Sequence, residues 1–347
     1  MTETNTLGIH RDAVPELLAL DWGTSSLRAF LLRCDGRMLA TRSTQKGLQA
    51  LPVPGAAGFE MAFAEIAGDW LAGWPHLPVV AGGMVGSVQG WKEAPYVRCP
   101  ADIGTLAEHA ARVPSGLGVD VIIAPGVLLD EKDLAPDVIR GEEIQIAGAL
   151  AQYPELGMRA TMVLPGTHSK WVQVQNGRIT GFASYMTGEL FAVLLKHSIL
   201  GRLMSSEPPP HEAASNIAFE QGLAAAQYSR PGDFAHQIFS ARTLGLTRRL
   251  ACNVLKDYLS GLLIGHELVS GMDRSGGGAS APGPLVLIGE ASLCQRYVRA
   301  FAALGIEIAD VLDNPAPRGL WEFAKARGLL KTATSARNKR VGDEQPA

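Results

Sequence analysis

The stretch Leu17-Leu18-Ala19-Leu20-Asp21-Trp22-Gly23-Thr24-Ser25-Ser26-Leu27-Arg28-Ala29-Phe30 decides how the chain is read. An apolar run ends in an aspartate, breaks at a glycine, passes three hydroxyl residues and resumes as a second apolar run. Apolar runs of this length around a Gly/Ser/Thr cluster read as strand, tight turn, strand. Gly23 permits a sharp turn without a Cβ, so the amides and hydroxyls of Thr24, Ser25 and Ser26 can converge on an anion. Asp21 at the strand end would sit beside that anion, where a carboxylate is useful chiefly with Mg²⁺ between them. An ordinary β-hairpin with a polar tip is the alternative.

Working outward, Asp35-Gly36 is a two-residue hairpin signal, and Met38 to Arg42 extends the pair to an antiparallel meander. The design returns at Thr161-Met162-Val163-Leu164-Pro165-Gly166-Thr167-His168-Ser169-Lys170-Trp171-Val172-Gln173-Val174. There an apolar run leads into Gly-Thr-x-Ser and a second run, followed by the Asn176-Gly177 turn and a third strand over Arg178 to Phe182. Gly23 and Gly166 are 143 positions apart, too long a period for a solenoid. The echo implies two similar lobes, each with a hydroxyl-lined turn; chance likeness of two hairpins is the alternative. At that spacing Leu164 replaces Asp21, so only the first turn carries a carboxylate.

At 347 residues the chain exceeds a comfortable single core, which agrees with two lobes. Its 47% hydrophobic residues, 39 Gly and 21 Pro suit a soluble enzyme with many turns. A net charge of −3 argues against nucleic acid as the main partner. Cys34, Cys99, Cys252 and Cys294 are scattered without a Cys-x-x-Cys pair, which fits a reduced, cytoplasmic protein without structural zinc. Met1 to Pro15 is polar and lacks the apolar core of a secretory signal. Leu259 to Val269 is too short to span a membrane and carries His266 and Glu267, so it reads as a buried helix and no membrane partner is expected. The polar tail from Lys331 to Ala347 is expected to fray.

Between the two turns, Phe59 to Trp74 has helical spacing, and Pro78 to Ala81 is a short buried strand. That strand runs into Gly82-Gly83-Met84-Val85-Gly86-Ser87, glycines at a strand end where a ligand can approach the backbone. Val121 to Val127 reads as one buried strand, Leu128 to Val138 as an acidic loop, and a helix starts near Gly141 with Glu142 and Glu143 in its first turn. Acids at a helix start are also favoured by the dipole alone. Beyond the second turn the chain reads as mostly helical. A helix follows Thr187-Gly188-Glu189 through Leu200, ended by Pro208-Pro209-Pro210, and others cover Ala213 to Tyr228 and Leu250 to Leu263. Arg274 to Pro284 is a flexible Gly/Ser/Pro loop. Leu285 to Ser292 is a strand entering a turn and a further helix, the usual way to present amides to a nucleotide, and Ala316 to Arg327 is a closing helix. No P-loop or Gly-x-Gly-x-x-Gly stretch follows a strand.

Asp21-Trp22-Gly23-Thr24-Ser25-Ser26-Leu27-Arg28-Ala29 resembles the first phosphate motif of the superfamily that contains sugar kinases, acetate kinase, actin and the heat-shock ATPases. From about Leu18 to Leu329 the chain resembles the 2-dehydro-3-deoxygalactonokinase family. The likeness runs through Ala81 to Ser87, Gly90-Trp91-Lys92, Ala94-Pro95-Tyr96, Arg140-Gly141-Glu142-Glu143, Leu164 to Val172, Met186 to Leu190 and Leu259 to Gly265. Each motif is weakly specific alone; their order and coverage carry the resemblance.

The resemblance implies an α/β protein with a two-lobed, ribonuclease-H-like (actin-like ATPase) fold, each lobe a mixed sheet with flanking helices, and ATP in the interlobe cleft. The first lobe is expected over 1–137 and the second over 138–347, with the option that the last helix packs back on the first. The implied activity is phosphorylation of 2-dehydro-3-deoxy-D-galactonate by ATP at its terminal hydroxyl, in galactonate catabolism. Other 2-keto-3-deoxy sugar acids, or a non-catalytic nucleotide sensor of the same fold, are the alternatives. Asp21 would orient Mg²⁺, Gly23, Thr24 and Ser25 would contact the transferred phosphate, and Gly166, Thr167, Ser169 and Lys170 would meet the ATP phosphates. Glu142 would be the general base with Glu143 in reserve, and Gly289 would lie near adenosine. Gly83, Met84, Val85, Gly86, Ser87, Trp91 and Tyr96 would hold the sugar, with Lys92 or Arg98 on its carboxylate. Partners are therefore a sugar acid and ATP, with a homodimer left open.

Overall fold

The computed structural model describes residues 14–209, 211–275 and 283–330. The start of the polar leader, Pro210, the centre of the Gly/Ser/Pro loop and the tail from Lys331 lie outside the described residues. Among the described residues, no helix is long and apolar enough to cross a membrane.

β1 (Leu17–Trp22), β2 (Leu27–Leu32) and β3 (Met38–Thr44) form the expected antiparallel meander. β1 is apolar on both faces because it lies inside its sheet, whereas the edge strand β3 carries exposed positions. α1 (Ala56–Gly73) buries Phe59, Phe63, Ile66 and Trp70, the spacing of one helix face. Then follow β4 (Val79–Gly83), β5 (Tyr96–Arg98), α2 (Ile103–Glu108), β6 (Ala111–Pro114), β7 (Asp120–Ile123), β8 (Gly126–Leu129), β9 (Asp137–Ile139) and α3 (Glu142–Gln152). A six-stranded mixed sheet runs β3-β2-β1-β4-β7-β6, and a three-stranded sheet runs β5-β8-β9. The apolar run from Val121 to Val127 is thus two strands in two sheets. Pro125 has no N–H to continue the ladder, and Gly126 N bonds Pro95 O instead (3.1 Å).

The next elements are β10 (Arg159–Leu164), β11 (Ser169–Gln175), β12 (Arg178–Tyr185), α4 (Thr187–His197), α5 (Glu212–Gln227), α6 (Phe234–Ile238), α7 (Ser240–Leu246) and α8 (Leu255–Arg274). β13 (Leu285–Ile288), α9 (Ala291–Ala303), β14 (Asp310–Leu312) and α10 (Ala316–Ala326) complete the chain. The five-stranded sheet runs β12-β11-β10-β13-β14. Its first four strands repeat β3-β2-β1-β4 in order and in sense, two antiparallel pairings and one parallel. The internal echo is therefore a repeat of topology.

Two compact units result: one runs to Pro154 and resumes at Pro315, the other is Glu155–Asn314. This division differs from the expected 137/138 boundary. β9 pairs with β8, which keeps residues 137–139 in the first unit. α3 is held there by α10, where glycines bring the two backbones together: a Cβ on Gly319 would lie 1.8 Å from Ile144 O, and one on Gly148 2.0 Å from Pro315 O. The first unit's core joins Trp22, Phe59, Phe63, Trp70 and Trp91; the second has one cluster around Trp171, Tyr297 and Phe301 and another around Tyr258 and Leu262.

Candidate active site

In the first unit Asp21 stands one residue from the end of β1, with Arg28 as its partner across β2. Arg28 Nη2 donates to Asp21 Oδ2 in an ion pair. Burial raises the Asp21 carboxyl above its ordinary range, and the charge and hydrogen bond of Arg28 oppose that rise. Beyond it, Gly23 N–H closes the turn on Ser26 O (2.9 Å). The turn carbonyls are taken by the segment after β3: Gly23 O accepts from Leu48 N (3.1 Å), Thr24 O from Gln49 N (3.0 Å) and Ser25 O from Gly47 N (3.3 Å). The amides of Thr24 and Ser25 have no backbone partner among the described residues, and both residues are exposed. Free successive amides beside a carboxylate suit a phosphate that carries a metal ion. Gly47 permits this docking, since a Cβ there would lie 2.4 Å from Ser26 N. Sequence reasoning missed Gly47, whose ordinary φ of −70° leaves no turn signal.

β4 runs parallel to β1, with Gly82 opposite Asp21 and Gly83 opposite Trp22. Gly141, at φ +109°, enters α3 so close to β4 that a Cβ on it would lie 3.3 Å from Gly83 Cα. This approach sets Glu142 and Glu143 in the same unit as Asp21. Glu142 Oε2 accepts from Arg140 N (2.9 Å) and Glu143 Oε2 from Gly141 N (2.7 Å). Glu143 is 1% exposed and its Oε1 is buried without a partner. Burial, and then the charge of Glu142, push its carboxyl up to about 8. Glu142 remains partly exposed.

Met84–Gly86 is a 3-10 turn, in which Val85 and Gly86 are buried, while Met84 and the following Ser87 are half-buried. Trp91, expected on the sugar, is instead 8% exposed, stacked on Phe59 (6.1 Å) and edge-on to Trp22 (5.9 Å). Its ring completes the aromatic core of the first unit. Tyr96 is exposed, with the Arg140 guanidinium 4.2 Å over its ring. Arg140 Nη2 donates to Ala94 O (2.9 Å), and its Nη1 is buried without a partner beside Gly86. Arg98 is engaged by Asp130 (2.5 Å), and Lys92 is exposed.

In the second unit Leu164, the counterpart of Asp21, pairs with Lys170, a cross-strand spacing one residue shorter than that from Asp21 to Arg28. A cation thus occupies the cross-strand place of Arg28, but with no carboxylate opposite. Lys170 is buried and donates to Ser184 Oγ (2.6 Å). Ser169 is fully buried; its hydroxyl lies 3.0 Å from Tyr297 Oη and accepts weakly from Gly166 N (3.4 Å). Gly166 and Thr167 remain at the turn's accessible side, and the N-terminus of α4 grips them. Glu189 N donates to Thr167 O (3.0 Å), and a Cβ on Gly188 would lie 2.5 Å from Gly166 O. His168 pairs with Glu189.

Beside this turn lies a cavity of about 660 Å³, a size suited to a small ligand, lined by Gly166, Thr167, Lys256, Ser260, Glu290 and Arg296 among others. Arg296 is held by Asp257 (2.8 Å) and Ser260 (3.2 Å). The polar residues Lys256, Asp257 and Ser260 in the first turns of α8 were the available signal for this cavity. Gly289 follows β13 near Pro165 O. The amides that start α9 are not left for a nucleotide, because Glu290 itself caps Ser292 N and Leu293 N (both 3.0 Å).

The sequence model of the 2-keto-3-deoxy-galactonokinase family matches residues 21–323. A protein of Rhizobium meliloti (strain 1021), described as a probable 2-dehydro-3-deoxygalactonokinase, is 35% identical over 314 residues, 89% of this chain and 96% of its own. The 2-dehydro-3-deoxygalactonokinase of Escherichia coli (strain K12) is 35% identical over 299 residues, 86% of this chain and 94% of its own. A crystal structure from Sinorhizobium meliloti, provisionally described as the same enzyme, aligns with a TM-score of 0.75 at 31% identity, covering 89% of this chain and 98% of that one.

Proposed function

The chain belongs to the 2-keto-3-deoxy-galactonokinase family, and from that premise we propose that it transfers the γ-phosphate of ATP to the terminal hydroxyl of 2-dehydro-3-deoxy-D-galactonate, a step of galactonate catabolism. The observation that carries this reading is the first turn. Its carbonyls are tied down by residues 47–49, and its free Thr24 and Ser25 amides stand beside the partly buried Asp21.

Phosphoryl transfer asks the protein for positioning and charge neutralisation more than for covalent chemistry. The amides of Thr24 and Ser25 receive the transferred phosphate. In the second unit, taken by itself, Gly166 and Thr167 suit nucleotide phosphates, and the cavity between α8 and α9, past Gly289, suits an adenosine. Among the described residues no group of three or more His, Cys, Asp and Glu side chains is placed to hold a metal. A lone carboxylate such as Asp21 fits Mg²⁺ that arrives on the nucleotide, since Mg²⁺ typically takes one or two carboxylates and fills its sphere with phosphate and water. When bound, the ion neutralises charge on the phosphate oxygens.

Glu142 is the general base: it is the accessible member of the pair, and the buried Glu143 holds its proton at neutral pH. The 84–87 segment and Tyr96 hold the sugar acid. Arg98 is occupied by Asp130, which leaves Lys92 and Arg140 to attract its carboxylate. ADP release with Mg²⁺, ATP and a panel of 2-keto-3-deoxy sugar acids and aldonates tests the proposal. Turnover greatest with the galactonate derivative is expected; no turnover with any acid overturns it.

A further inference from the structure

Glu267 is a carboxylate with no role in the reaction as described so far. It lies on α8, 2% exposed, inside the second unit. A charged group buried this deeply is costly unless its oxygens are satisfied. Here donors from three elements close on it. Trp171 Nε1 of β11 donates to Oε1 (3.0 Å), Tyr297 Oη of α9 donates to Oε2 (2.7 Å), and the hydroxyls of Thr187 and Ser169 hydrogen-bond it as well. A carboxylate has about four lone-pair sites, enough for this set of donors; burial raises the Glu267 carboxyl above its ordinary range, and the donors oppose that rise.

Two of those donors lead to the nucleotide turn. Ser169, held against Tyr297 and Glu267, accepts from Gly166 N–H at the turn itself. Thr187 opens α4, whose next two residues touch the turn directly: Gly188 packs on Gly166 O, and Glu189 N–H binds Thr167 O. The loop and the helix that grips it are thus anchored on one buried carboxylate.

We propose that Glu267 is a positioning residue for the nucleotide, fixing the Gly166–Thr167 turn through Ser169 and through Thr187 at the start of α4. The proposal rests on the assignment of that turn to ATP phosphates. Glu267→Gln keeps the shape and replaces an acceptor with an NH₂ that opposes the donors, and Tyr297→Phe removes one link while keeping the ring.

The experiment is calorimetric binding of Mg²⁺ with a non-hydrolysable ATP analogue to the full chain, beside steady-state kinetics and melting. Loss of hydrogen bonds to this buried side chain predicts analogue binding weakened roughly tenfold to a hundredfold in Glu267→Gln. Tyr297→Phe weakens it less, and the double variant is no worse than Glu267→Gln, because both act through one network. KM for the sugar acid stays within about twofold, since that side of the reaction loses no contact. If Glu267→Gln does not fold, Tyr297→Phe alone carries the test. Melting temperatures that fall while analogue affinity stays at the wild-type value overturn this proposal alone. A wild-type chain that binds no analogue overturns the assignment of the turn, and this proposal with it.

Discussion

Arg28 lies directly across the β1–β2 pair from Asp21 and holds its carboxylate in an ion pair. The two forces on Asp21 are opposed: burial favours the protonated form, and Arg28 favours the ionised form that can serve Mg²⁺. Arg28→Gln leaves burial unopposed, so the Asp21 carboxyl rises further. The role proposed for Asp21 requires its deprotonated form, hence the acid limb of kcat/KM for ATP is expected to move to higher pH in Arg28→Gln. Paired pH–rate profiles measure this; coincident acid limbs would show that Arg28 does not set the ionisation of Asp21.

Gly47 makes a second prediction because it packs directly on the turn. Its conformation is open to any residue, but a Cβ would lie 2.4 Å from both Ser25 C and Ser26 N. Gly47→Ala therefore pushes the turn out of place while the strands beneath it keep their packing. Misplacement of a reacting group by about 1 Å costs on the order of a hundredfold, and that loss in kcat/KM is expected with the far-ultraviolet circular dichroism unchanged. Full activity in the alanine variant would sever the turn from the reaction.

What the sequence made legible was local. Leu17 to Phe30 and Thr161 to Val174 are apolar runs around Gly-Thr, and each became a hairpin in the same place in its sheet. Gly141 followed by two glutamates marked the start of α3, because a positive-φ residue and first-turn acids are local features. What the sequence hid was contact at long range. Gly47 stands 22 positions from Ser25, and nothing in its neighbours announces that approach. The family resemblance implied that Trp91 holds the sugar, but its ring partners, Trp22 and Phe59, are distant in sequence. Glu267 read as an interruption in an apolar helix, and its donors lie on β11, α4 and α9. α10 rejoins the first unit across 160 intervening residues, from 155 to 314, which no periodicity encodes.

Because Asp21 is already paired with Arg28, and no group of three or more His, Cys, Asp and Glu side chains is placed to hold a metal among the described residues, those residues have little to offer a metal ion by themselves. Mg²⁺ added to the chain without nucleotide is expected to give no binding heat, and Mg²⁺ added with the ATP analogue to bind. Chelation by EDTA abolishes turnover, and excess Mg²⁺ restores it. Asp21→Asn keeps nucleotide binding, loses kcat and raises the Mg²⁺ concentration needed for half-maximal rate. Tight Mg²⁺ binding to the nucleotide-free chain would contradict this division of labour.

Glu142 and Glu143 are adjacent on α3 and differ in what surrounds them, so substitution of each has a different signature. Glu142→Gln removes the proposed base and lowers kcat by roughly 10²–10⁴ with nucleotide binding little changed. Glu143 is raised to about 8 by burial and by Glu142, so at neutral pH it is already in the form that glutamine imitates. Glu143→Gln therefore retains most of the neutral-pH rate. Its effect appears in stability. A folded-state value above the unfolded one means that the protonated carboxyl favours the fold; this contribution is complete below the unfolded value near 4.5 and is lost as pH rises through about 8. Glutamine has no proton to lose, so the melting temperature of wild type declines more steeply over that window than that of Glu143→Gln. Melting curves across the window measure the difference, and kcat at neutral pH completes the test. A collapsed rate in Glu143→Gln beside a near-normal rate in Glu142→Gln would transfer the base to Glu143, with the acid limb of its rate profile then expected near pH 8.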